Sequence, residues 1–178
     1  MNAPQGRCYW AVVPFAASEP FRIYAGTERE PFTASTASLV AAVRKGDPQF
    51  DAIVPVKARP ILVLSERLDP FDDVLALRLR SFDKLSREEQ DRVREHEDEG
   101  LFHLDPSSFP HLPAENAAII TALVRVPVSA IDTSVELGRV NVTELRVIHE
   151  RVARAHDLKL DALVLAQAQR LIKSMQAP

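Results

Sequence analysis

Four consecutive apolar residues, Ile61-Leu62-Val63-Leu64, stand between Arg59-Pro60 and Ser65-Glu66-Arg67. The run is too short for a buried helix and predicts a strand covered on both faces. Proline has no N–H to give to a ladder, so Pro60 is expected at the strand's first position and Arg59 at the lip of a sheet. A guanidinium held there meets either water and a neighbouring carboxylate, which is the plainer reading, or an anion. The residues alone leave both open.

The rest of the chain is organised around that strand. Cys8 to Phe15 reads as a first strand ended near Pro14, and Phe21-Arg22-Ile23-Tyr24 as a short second one. Thr36 to Lys45 has helical spacing, with basic residues in its last turn and Gly46 beyond. Ala52 to Val56 is extended and leads into the strand after Pro60. Val74 to Arg80 alternates, with Leu77 and Leu79 facing one way and Arg78 and Arg80 the other. Ser86-Arg87-Glu88-Glu89 is a capping box opening a polar helix to about Glu99, where Gly100 stops it; Val93 is its one sizeable apolar residue, which suggests a surface excursion. His103 to Pro113 holds three prolines and is expected to be irregular. Ala117 to Val126 is a strand, and Val128 to Ile131 is short and extended. Asn141 with Glu144 forms a second capping box, for a helix through about His156 with Leu145, Ile148, Val152 and Ala155 on one face. A last helix is expected from Asp161, with the stripe Val164, Ala168, Leu171, Ile172 and Met175. Strands come first and helices last, which predicts an α+β fold built on a small, strongly bent antiparallel sheet.

Composition limits function more than fold. With 178 residues and a formal charge of −3, the chain is large enough for a real core and offers no global attraction to a polyanion, so any such site is a local patch. The lone Cys8 rules out an internal disulfide and fits a reducing compartment. No apolar run approaches a membrane span, and residues 1–7 lack a signal peptide's apolar core, which leads to the expectation of a cytoplasmic protein.

The histidines, His103, His111, His149 and His156, lack metal-ligand spacing and read as surface residues, so no metal or cofactor is expected. Cys8 beside Tyr9-Trp10 reads as buried and inert. The five glycines do not cluster into a phosphate loop. The basic residues are more informative. If the strands at Pro60 and Val74 pair, Lys57, Arg59, Arg67, Arg78 and Arg80 crowd one rim, a pattern suited to phosphate contacts. The competing reading is a solvated face neutralised by Asp72, Asp73 and Asp83.

Three pieces resemble the MazF/PemK family of toxins from toxin–antitoxin modules. Gly6 to Pro14 is similar to the family's opening strand, Arg59-Pro60-Ile61-Leu62-Val63-Leu64-Ser65 to its Arg-Pro-Val-Leu-Val-Leu-Ser strand, and Leu137 to Leu145 to the start of its closing helix. The resemblance implies an SH3-like barrel shared with CcdB-type toxins, here with added C-terminal helices. The boundaries expected are a barrel domain over 1–160 with insertions at 16–56 and 84–113, then a helical extension over 161–178. It further implies a homodimer, an antitoxin protein as partner, and metal-independent cleavage of single-stranded RNA. Arg59 matches the family's catalytic arginine. Where the family carries a threonine in Pro-x-Thr-Ser, this chain has Arg78-Leu79-Arg80-Ser81, so Ser81 is the hydroxyl expected to serve. Lys57, Arg67, Arg78 and Arg80 are the expected RNA contacts. A non-catalytic CcdB-like barrel that binds a protein is the alternative.

Overall fold

A computed structural model describes residues 3–14, 21–25, 32–44, 50–65 and 72–157. In chain order its elements begin with strands β1 (Arg7–Pro14), β2 (Phe21–Ala25) and β3 (Phe32–Ala34), helix α1 (Thr36–Arg44), and strands β4 (Phe50–Ala52), β5 (Val56–Val63) and β6 (Asp73–Ser81). Helix α2 (Arg87–Arg94), strands β7 (Leu101–Leu104), β8 (Asn116–Pro127), β9 (Ile131–Asp132) and β10 (Gly138–Arg139), and helix α3 (Val142–Ala155) follow. The expected helix after Asp161 lies outside the described residues. The fold is α+β, with antiparallel pairing wherever a register is given.

The chain divides into two compact units, one of Met1–Ala11 with Arg59–Pro178 and one of Val12–Ala58. In the smaller unit β2 is the middle strand, pairing with β3 through Arg22↔Thr33 and with β4 through Tyr24↔Asp51. The main sheet runs β10-β1-β5-β6-β8-β7, with β9 also on β1. Among the described residues its ladder ends on β10 and β7 and does not close into a ring, so the expected barrel is present as a broad open sheet.

The Ile61–Leu64 run is buried on both faces, with Ile61, Leu62 and Val63 at 0% exposure. The strand begins at Val56, so Pro60 lies within it and not at its first position. The missing N–H is tolerated there because the given ladder with β6 starts one residue later, at Ile61↔Arg78. Alternation then separates two covers. Leu62 and Leu77 are register partners and share a cluster with Cys8, Leu79, Phe102, Ile120, Ile148 and Val152, so α3 covers that face. A second cluster of Phe82, Leu85, Val93 and Ala117 gives α2 its anchor. Val93 is wholly buried, so α2 is pinned by one residue and is not a free surface excursion.

Local chemistry sets the helix ends. Asn141 Oδ1 accepts from Glu144 N–H at 2.9 Å and Glu144 Oε2 accepts from Asn141 N–H at 2.8 Å, a complete capping box for α3. Ser86 and Glu89 make the same reciprocal pair for α2. Removing the cap in Asn141→Ala is expected to cost about 1 kcal/mol, seen as a lower midpoint in urea with an unchanged slope. α2 ends at Arg94, earlier than expected, because His96 takes a left-handed φ of 59°. The stop thus comes before Gly100. Two further expectations fail on short elements: β7 runs on through His103 and Leu104, the start of the stretch expected to be irregular, and Val128–Ala130 is a 3₁₀ turn where an extended piece is expected.

Candidate functional site

β5 and β6 pair, and their register decides which basic side chains share a face. Ile61 stands opposite Arg78, Leu62 opposite Leu77 and Val63 opposite Ala76. Side chains directly opposite one another point the same way, as do residues two apart along a strand. Arg59, Ile61, Arg78 and Arg80 therefore share the face opposite the Leu62–Leu77 core. Neighbouring strands lie about 4.8 Å apart, so the three guanidiniums start from backbone positions within reach of one polyanion strand. Arg78 is half-buried, and its Nε is fully buried without a hydrogen-bond partner. Arg80 is exposed and its Nη2 donates to Lys84 O at 2.9 Å, which holds the side chain against the 3₁₀ turn at Phe82–Lys84.

Two of the three acids expected to neutralise this face are engaged elsewhere. Asp73 accepts from Arg125 Nε at 2.5 Å, across the β6–β8 pair. Asp83 is held below the usual carboxylate range, first by a hydrogen bond from Ser81 and then by Lys84.

Of the remaining expected site residues, Ser81 does not join this row. Ser81 pairs with Asn116 at the end of β6, one residue beyond Arg80, so alternation turns it toward the opposite face. Lys57 is exposed and falls in the smaller unit. Arg67 lies outside the described residues. Cys8 is wholly buried, and desolvation pushes its thiol up to about 12, so it remains protonated at neutral pH. Among the described residues no three His, Cys, Asp or Glu side chains gather as metal ligands would, and no helix is long and apolar enough to cross a membrane.

The sequence reading missed a second polar cluster. Glu115 accepts two bonds from Arg94, Nε to Oε1 at 2.9 Å and Nη2 to Oε2 at 2.6 Å, and its Oε1 also lies 2.9 Å from His103 Nε2. Arg94 further lies over the Phe82 ring at 5.1 Å, and His103 packs 5.4 Å from the same ring. His103 is thus not the surface histidine its sequence context suggests. His149 is not one either, since its Nε2 lies 2.9 Å from Leu64 O, at the end of the central apolar run.

Arg94, then His103, holds the Glu115 carboxyl below the ordinary carboxylate range. A depressed folded pKa contributes stability that is full above the unfolded value of about 4.3 and is lost as pH falls through the folded value. Glu115→Gln is accordingly expected to flatten the acid limb of the stability curve below about pH 4.3, read as urea midpoints from pH 6 to pH 3. An acid limb identical to wild type would remove Glu115 from that role.

Comparison with known proteins adds a likeness among solved structures. No family model matches the chain, and no curated protein does. Among solved structures it is similar to the Mycobacterium tuberculosis toxin MazF-mt6, at 15% identity over 58% of this chain and 90% of that one, with a TM-score of 0.42.

Proposed function

We propose that the chain is a toxin of a toxin–antitoxin module that cleaves single-stranded RNA without a metal. The observation that carries the reading is the row of Arg59, Arg78 and Arg80 on one face of β5 and β6, beside a buried guanidinium nitrogen, Arg78 Nε, that lacks a partner. The resemblance of the Arg59–Ser65 strand to the MazF/PemK catalytic strand supports the same role.

Cleavage by an internal 2′-hydroxyl places extra negative charge on the phosphate oxygens. A cation fixed before the reaction stabilises that charge at little reorganisation cost. Arg59 takes this role, while Arg78 and Arg80 grip neighbouring phosphates by their planar forks. Ser81 serves in proton transfer only if RNA reaches the face of β6 opposite the arginine row. An antitoxin laid over the arginine row, and a homodimer that extends it, belong to the same reading.

The test is incubation of the purified chain with long single-stranded RNA in a chelator. Cleavage is expected, and Arg59→Ala is expected to slow it by about 10²-fold or more, the usual loss for one transition-state charge contact. No cleavage at any site would sink the enzymatic reading.

One observation favours the alternative, a non-catalytic barrel that binds a protein: alternation along β6 turns Ser81 away from the arginine row. Growth arrest on expression that survives Arg59→Ala would establish that version.

A further inference from the structure

A second polar feature lies at the far edge of the sheet, three strand positions from β6. The Pro-rich loop after β7 folds back onto β10 through two backbone bonds. Arg139 N–H donates to Ser108 O at 3.2 Å and His111 N–H to Leu137 O at 3.3 Å. Phe109, 3% exposed, anchors the loop in the core. Gly138 permits the approach, since a Cβ there would lie 2.5 Å from Phe109 Cα and 2.5 Å from Ser108 O. The loop is thus clamped in place by features unrelated to any ligand.

Between loop and strand lies a cleft of about 610 Å³, within the usual size range for small-molecule sites. Ser107, Ser108, His111, Glu136, Arg139 and Asn141 contribute its polar lining. The charges on that lining are unequal. The Glu136 carboxylate is ion-paired to Arg7, and the pair raises the Arg7 pKa, so that acid is already neutralised. Among the described residues no acid pairs with the exposed Arg139 guanidinium, while Ser107 already gives its backbone N–H to Asp105 Oδ1 at 2.8 Å. One guanidinium fork, two hydroxyls and an imidazole therefore line a preformed space.

We propose that this cleft binds a small phosphorylated ligand of about mononucleotide size, with Arg139 holding the phosphate and the two serines and His111 completing its shell. Phosphate oxygens match this donor set, because the guanidinium fork is bidentate and charge-assisted. The loop needs no reordering on binding, so little affinity is lost to closure. The proposal is independent of the arginine row on β5 and β6.

The test is a titration of the full chain, followed by amide ¹H–¹⁵N spectra, with inorganic phosphate and separately with adenosine 5′-monophosphate. Saturable shifts are expected at Ser107, Ser108, Gly138 and Arg139. Arg139→Ala, at an exposed side chain, is expected to weaken them by about tenfold or more while leaving the rest of the spectrum in place. Tighter binding of the nucleotide assigns a phosphorylated small molecule, whereas equal binding assigns the phosphate group alone as the recognised chemistry. Absence of saturable shifts at these amides, or shifts unchanged by Arg139→Ala, overturns the proposal.

Discussion

Gly138→Ala is expected to destabilise the chain by about 3 kcal/mol or more, through the sum of backbone strain and overpacking. Both causes act at one Cβ. The backbone sits at φ 152°, which side-chain-bearing residues rarely adopt, and the added carbon meets Phe109 Cα and Ser108 O at 2.5 Å. Neither neighbour is the end of a flexible side chain, so relief requires moving the loop from β10. That movement breaks the Arg139–Ser108 backbone bond and drags Phe109 out of the core. A fall in melting temperature of about 6 °C or more is the expected readout for a chain of this size. Gly100→Ala is the control, since a Cβ there meets only the Asp98 side chain, at 3.4 Å. A Gly138→Ala protein melting with the wild type would remove the loop clamp and with it the preformed cleft.

The features most legible in the sequence were those written in neighbouring residues. Both capping boxes, Ser86 with Glu89 and Asn141 with Glu144, close their helices as their spacing predicts. The Leu77–Arg78–Leu79–Arg80 alternation carried enough information to place Arg78 and Arg80 on one face, and Leu77 and Leu79 are buried on the other. What the residues did not reveal depends on partners far along the chain. β7 has only four residues; it is a strand because Leu101 and His103 find Ile119 and Ala117 on β8. α2 stops early through a left-handed His96, a conformation that a histidine gives little warning of.

The candidate site divides along the same line. Arg59, Arg78 and Arg80 were recognisable because a period of two and one pairing suffice to align them. Ser81 was grouped with them by adjacency, and adjacency on a strand means opposite faces. Glu115 and Arg139 were missed because their meaning lies in partners that sequence spacing hides: Arg94 is 21 residues from Glu115, and the Ser108 loop faces Arg139 only once β10 has formed.

Leu62→Ala carries the other large effect, a loss of about 2–5 kcal/mol. Leu62 is wholly buried in the cluster that holds Leu77 from β6, Ile120 from β8 and Ile148 from α3. Removing its branched end empties space between sheet and helix that neither side readily fills, because Leu62 is flanked by Ile61 and Val63, which are locked into the other face. Leu62→Met keeps the volume and is expected to cost less than about 1.5 kcal/mol. Urea unfolding of the two variants separates lost packing from a general intolerance of the strand. The Arg59 row adds a functional consequence. Arg59 sits three residues before Leu62 on β5, so loosening this strand is expected to lower any RNA cleavage by Leu62→Ala even under conditions where the variant remains folded. Full cleavage by a folded Leu62→Ala protein would show that the arginine is positioned by something other than the core beneath it.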